Sequence, residues 1–122
     1  MEWVYRSLKP GGYILLELRD FKSTLKIIDA LHDHVYRVWE KFDKYDPFDF
    51  NLSKKYLNEQ NHLVWEKTFY ERDTFEKSFF NNIIKLYNTE SISALFLRHG
   101  FKHINIVKEY RDGPTYMITA QK

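Results

Sequence analysis

The chain has no cysteine, four glycines and three prolines in 122 residues, and no apolar run long enough to cross a bilayer. Without cysteine there is no disulfide, no thiolate nucleophile and no thiolate zinc site. The glycines are Gly11, Gly12, Gly100 and Gly113, so a Gly-x-Gly-x-x-Gly turn, with its close backbone approach to a nucleotide, cannot be assembled from them. Charge of one sign is also scarce. The formal net charge is +2, with Lys and Arg interleaved among Asp and Glu, which gives no basic face for nucleic acid or an anionic membrane, and neither is expected as a partner. Early charge and a Pro-Gly-Gly triplet do not read as a secretion signal, so a cytoplasmic protein is the expectation.

What is present suffices for a core. With 43% hydrophobic and 18% aromatic residues, the chain reads as a single domain over 1–122. At the front, Met1 to Ser7 reads as the last turns of a helix, Leu8-Lys9-Pro10-Gly11-Gly12 stops it, and Tyr13 to Leu18 follows as a buried strand. At the back, Thr89 to Phe101 reads as a helix capped by Thr89, with Ile92, Leu95 and Phe96 on one face and Gly100 free to take the left-handed conformation that ends it. Two short strands come next, Ile104 to Val107 and Thr115 to Ala120, joined by a turn at Arg111-Asp112-Gly113-Pro114.

This order of elements resembles the C-terminal part of class I S-adenosylmethionine-dependent methyltransferases. Residues 1–18 match the helix, Lys-Pro-Gly-Gly turn and fifth strand of that family. Residues 89–122 match its last helix ending in Gly-Phe, its sixth and seventh strands and its terminal Ala-x-Lys, here Ala120-Gln121-Lys122. The resemblance implies an α/β fold: a three-stranded mixed sheet fragment of a Rossmann-like methyltransferase, with a long helix and an inserted β-hairpin over 21–88. It implies S-adenosylmethionine as cofactor in the intact family and a small-molecule methyl acceptor as partner. The glycine loop and the ribose-binding carboxylate of the family belong to strands that precede the matched part, so this chain alone is expected to bind no cofactor and to be inactive. The fifth strand, lacking its usual neighbour, implies a homodimer or association with the N-terminal half.

Between the matched ends, Leu25, Ile28, Leu31, Val35, Val38, Trp39 and Phe42 recur at three and four residues, which predicts an amphipathic helix from Lys22 to Phe42. Asp46 to Asn51 reads as a loop with aromatic anchors, and Ser53 to Gln60 as a short helical turn. From His62 to Arg72 apolar and charged residues alternate, as in a strand with one wet face. Phe75 to Tyr87 reads as its hairpin partner through Asp73-Thr74, with a helix as the alternative.

Among candidate site residues, Arg19 and Asp20 follow the first strand, where ligands bind in open α/β sheets, and they are the expected substrate contacts; the alternative is an incidental ion pair in a solvated loop. His32 and His34 suggest a metal pair, but two residues apart on a helix they diverge, which favours surface histidines. Asp46 and Asp49 can act as an acid/base pair only if a pocket shifts one of them, and a turn-forming Asp is the stronger reading. Trp65, Phe69, Tyr70, Phe75, Phe79 and Phe80 either pack in a core or line an apolar pocket. His99, in the last turn of a helix, needs only a structural role. The reading is thus the substrate-side part of a methyltransferase; the alternative is a non-catalytic module that pairs with another chain through exposed strands.

Overall fold

The computed structural model describes residues 1–108 and 113–122, so Arg111 and Asp112 of the expected turn lie outside the described residues. The chain divides into two compact units, Met1–Thr24 with Leu86–Lys122, and Leu25–Lys85. Among the described residues no helix is long and apolar enough to cross a membrane.

The first unit is built on β1 (Tyr13–Arg19), β6 (Lys102–Val107) and β7 (Thr115–Gln121), with α1 (Glu2–Ser7) and α3 (Thr89–Arg98). Its strand order is β1-β7-β6, with the last strand between the other two. Both ladders are antiparallel, which corrects the expectation of a mixed sheet: β7 lies in the middle and runs against both of its neighbours. Ile92, Phe96, Phe101, Tyr116, Ile118 and Ala120 form the buried cluster, and Ile14, Leu16 and Leu18 of β1 pack against it from alternate positions. Phe96 and Tyr5 both meet the Phe101 ring edge to face, at 4.9 and 5.0 Å between centroids.

Local chemistry sets the boundaries of these elements. Gly12 N–H donates to the Lys9 carbonyl at 2.9 Å, closing a turn with Pro10 second and Gly11 third at φ 76°, the left-handed third position of a type II turn. The turn is clamped by Lys122, whose N–H donates to Gly12 O at 2.9 Å and whose Nζ donates to Leu8 O at 2.7 Å. The cap of α3 is Asn88 rather than Thr89: its side chain accepts from Ser91 N–H at 2.7 Å. The helix does end at Gly100, φ 91°.

The second unit is a four-stranded antiparallel meander in the order β2-β3-β4-β5, formed by β2 (Tyr36–Lys41), β3 (Phe48–Leu57), β4 (Leu63–Glu71) and β5 (Lys77–Ile84). The hairpin of β4 and β5 stands where expected, but two further strands join it. The helix expected over 22–42 is instead α2 (Phe21–Asp29), a turn and β2. Asp33 Oδ1 accepts from Val35 N–H at 3.3 Å and His34 takes φ 56°, which ends helical geometry. Beyond that break, Tyr36, Val38 and Trp39 gain more from pairing with β3 than from a helix they can form only with loss of rotamer freedom. The same ladder corrects the loop expected at 46–51, which becomes strand from Phe48, and the helical turn expected at 53–60, which is strand to Leu57. The chain then reverses at Asn58, whose Oδ1 accepts from Gln60 and His62 N–H, and Asn61 takes φ 59°.

Candidate functional site

Arg19 is the last residue of β1 and Asp20 the first beyond it, so both stand at the carboxyl end of that strand. Asp20 is held by its surroundings. Its carboxylate accepts from Ser23 N–H at 2.9 Å and Ser23 Oγ at 2.7 Å, capping α2, and its backbone bridges Tyr87 in parallel register. The Tyr87 carbonyl accepts from Phe21 N–H at 3.4 Å and from the Tyr116 hydroxyl at 3.1 Å, so the segments leaving and re-entering the first unit are tied together. Burial, with the Asp20 carboxylate as second cause, pushes the Tyr116 phenol up to about 12. One turn into α2, Thr24 is buried and its hydroxyl has no hydrogen-bond partner among the described residues.

The second unit carries a groove of about 390 Å³ that no single segment announces. Its lining includes Arg37 and Trp39 of β2, Leu52 and Lys54 of β3, and Glu66 and Thr68 of β4. The register pairs Trp39 with Leu52 and Leu52 with Thr68, and pairs Arg37 with Lys54 and Lys54 with Glu66, so one sheet face carries an apolar row beside a charged row. Trp39 is 64% and Leu52 45% exposed, a large apolar surface left open. In the charged row, Lys54 Nζ lies 3.0 Å from Glu66 Oε2, while Tyr56 Oη donates to Glu66 Oε1 at 3.1 Å. Lys54 holds the Glu66 carboxyl below its usual range, and the Arg37 hydrogen bond does the same for Asp33. Such a volume falls within the size range of small-molecule sites, and the arrangement offers a flat apolar floor with ion-paired groups along one wall.

The other predicted residues fall into place separately. Asp46 Oδ1 accepts from Phe48 N–H at 3.0 Å, which is a turn, and Asp49 Oδ1 accepts from Arg72 Nη1 at 3.2 Å. The two carboxylates therefore serve loop geometry. His34 Nδ1 lies 3.5 Å from Asp29 Oδ1, and no group of three or more metal-ligating side chains gathers among the described residues. His99 is the C-cap of α3. The six aromatics do not converge on one pocket: strand alternation puts Trp65, Phe69 and Phe80 on one face and Tyr70 and Phe79 on the other, with Phe75 in the turn. Trp65 lies between the Lys55 and Lys67 ammonium groups, each 4.4 Å from its ring. The groove was invisible in the sequence because its rows run across strands.

The glycines do not form a cofactor cradle. Gly11 and Gly12 precede β1, Gly100 follows α3 and Gly113 precedes β7, so no glycine follows a strand into a helix. The turn from β1 into α2 is filled by the Asp20 carboxylate. These residues do not fit a nucleoside cofactor approached through backbone.

By sequence, the chain matches no protein-family model and no curated protein. By structure it is similar to an S-adenosylmethionine-dependent methyltransferase from Clostridium acetobutylicum, with a TM-score of 0.64, 15% identity and 98% of this chain covered. The chain spans about half of that protein's length, 48%. At this identity the likeness shows the fold alone, in this chain an α/β arrangement of antiparallel sheets and few helices.

Proposed function

We propose that this chain is the C-terminal, substrate-side portion of an S-adenosylmethionine-dependent methyltransferase acting on a small molecule. The observation that carries the proposal is the fold likeness over 98% of the chain. The β1-β7-β6 order and the Pro-Gly-Gly turn before β1 support it. In this reading the groove beside Trp39 and Leu52 receives the apolar body of the methyl acceptor. Methyl transfer to a nucleophile depends on alignment more than on covalent catalysis, so a preformed groove is the kind of contribution this half would make. The cofactor is not held by this chain alone, because the glycine pattern that admits it is missing.

The test has two arms. Titration calorimetry with S-adenosylmethionine is expected to show no binding; a micromolar dissociation constant, about −8 kcal/mol, would overturn the division of roles. A panel of aromatic small molecules bearing amine, hydroxyl or carboxylate groups is expected to quench tryptophan fluorescence in the native chain and not in Trp39→Phe. Equal quenching in both would remove the groove from the proposal.

A further inference from the structure

The charges that line the groove of the second unit stand in one row and are unevenly matched. Arg37 and Lys54 lie directly opposite each other in the β2–β3 ladder, a like-charged cross-strand pair that by itself destabilises the sheet. Neither of the carboxylates attending them stands between them in that ladder. Glu66 meets Lys54 from β4, on the side away from Arg37, at 3.0 Å, and Asp33, 2.6 Å from Arg37 Nη1, precedes β2. Donors also exceed acceptors. Both Glu66 oxygens are engaged, Oε2 by Lys54 and Oε1 by the Tyr56 hydroxyl, whereas a guanidinium and an ammonium carry more N–H groups than one carboxylate contact each uses. Two residues along the strands, a separation of about 7 Å, Trp39 and Leu52 form the apolar floor. Beyond that floor the same face carries the Phe50 and Tyr70 rings, stacked 4.4 Å apart, so the charged lining residues are all at one end.

We propose that the groove takes an aryl-alkanoic acid, its carboxylate between Arg37 and Lys54 and its aromatic body on Trp39 and Leu52. An anion in that position turns a repulsive pair into a bridge and accepts the N–H groups left over, without displacing Asp33 or Glu66. The charges of Asp33, Arg37, Lys54 and Glu66 cancel before it binds, so a single negative charge fits better than the double charge of a phosphate monoester. An ammonium ligand fits worst. It adds a third cation to the groove wall and meets a Glu66 carboxylate whose two oxygens already accept. The spacing of the two rows asks for a carboxylate about 7 Å from the centre of the apolar body, which a short alkyl chain supplies. This specificity rests on the reading of the groove as the acceptor site.

Titration calorimetry with 4-phenylbutyrate, its methyl ester and 4-phenylbutylamine, which share one apolar body, separates the outcomes. The acid is expected to bind about tenfold tighter than the ester, with the amine weakest, and its advantage is expected to shrink as salt rises. Arg37→Gln is expected to weaken the acid about tenfold, and Glu66→Gln, which takes a negative charge out of the row, to tighten it. The ester should respond to neither change. An ester or amine that binds as tightly as the acid overturns the proposal and leaves the groove standing as an acceptor site. So does an acid affinity that Arg37→Gln leaves unchanged or that Glu66→Gln lowers. Binding by none of the three probes overturns both the proposal and the acceptor reading of the groove.

Discussion

The Tyr116 hydroxyl donates to the Tyr87 carbonyl at 3.1 Å from a side chain with no exposed surface. A phenol in that position is favoured neutral, because ionisation would break the bond and place a buried anion near Asp20. Its pKa is raised from 10.0 to about 12. The raised value means that the stabilisation is fully present below pH 10.0 and is lost as pH rises through about 12. At the top of that window the loss is on the order of 2 to 3 kcal/mol. Ultraviolet titration is expected to show one tyrosinate forming last, together with loss of tertiary structure. Tyr116→Phe is expected to remove that alkaline step and to cost about 1 kcal/mol at neutral pH. An identical alkaline midpoint in the variant would assign the transition to other residues.

Glu66 titrates in the opposite sense. Its carboxyl lies below the usual 4.5 because Lys54, and then Tyr56, hydrogen-bond the ionised form. The contribution is present above 4.5 and fades as pH falls through the lower folded value. Melting temperatures of the native chain and Glu66→Gln should differ near neutrality and converge in acid. Parallel curves at every pH would show that the pair contributes nothing to folding.

Arg72 ties the 43–49 segment to the end of β4. It donates to the carbonyls of Asp43, Asp46 and Phe48 at 2.9, 3.4 and 3.2 Å, and to the Asp49 carboxylate at 3.2 Å. Arg72→Ala is expected to cost about 1–3 kcal/mol, and Arg72→Lys to recover little, since one ammonium cannot reach acceptors spread around a planar fork. Amide exchange should accelerate at Phe48 above all. Full recovery by lysine would reduce the clamp to a charge effect.

At the front of the chain, a Cβ on Gly12 would sit 2.9 Å from the Lys9 carbonyl oxygen, a backbone atom that the turn itself holds. Gly12→Ala is therefore expected to lower the melting temperature, and Gly11→Ala to do so through its φ of 76°. Double replacement by Val should give insoluble protein. Unchanged melting of the single variants would mean that the turn shifts freely and carries no weight in the fold.

How much of this was legible in the sequence depends on the range of the forces at each place. Local chemistry marked the ends of the first unit: Pro10 and Gly11 dictate a turn, Gly100 dictates a helix end, and Ile92 with Phe96 marks the face that is buried. Even the cap missed by one residue, Asn88 for Thr89, because neighbouring polar side chains compete for the same N–H groups. The position of Arg19 and Asp20 at the end of β1 was legible for the same reason, since two adjacent residues at a strand end need no partner to be placed.

Residues 30–57 were different. Val35, Val38, Trp39 and Phe42 satisfy helical spacing and β propensity at once, and nothing within the segment decides between them. The decision comes from Leu52 and Ser53, which lie opposite Trp39 and Val38 in the finished ladder. Cross-strand pairing is an interaction between distant segments, and only it brings Arg37, Lys54 and Glu66 into one row beside Trp39 and Leu52. Sequence by itself determined the turn at Pro10 and Gly11, the end of α3 at Gly100 and the alternation of β4. Tertiary structure alone decided that the middle of the chain is a sheet with a groove, because the side chains that form its floor and wall become neighbours only when three strands align.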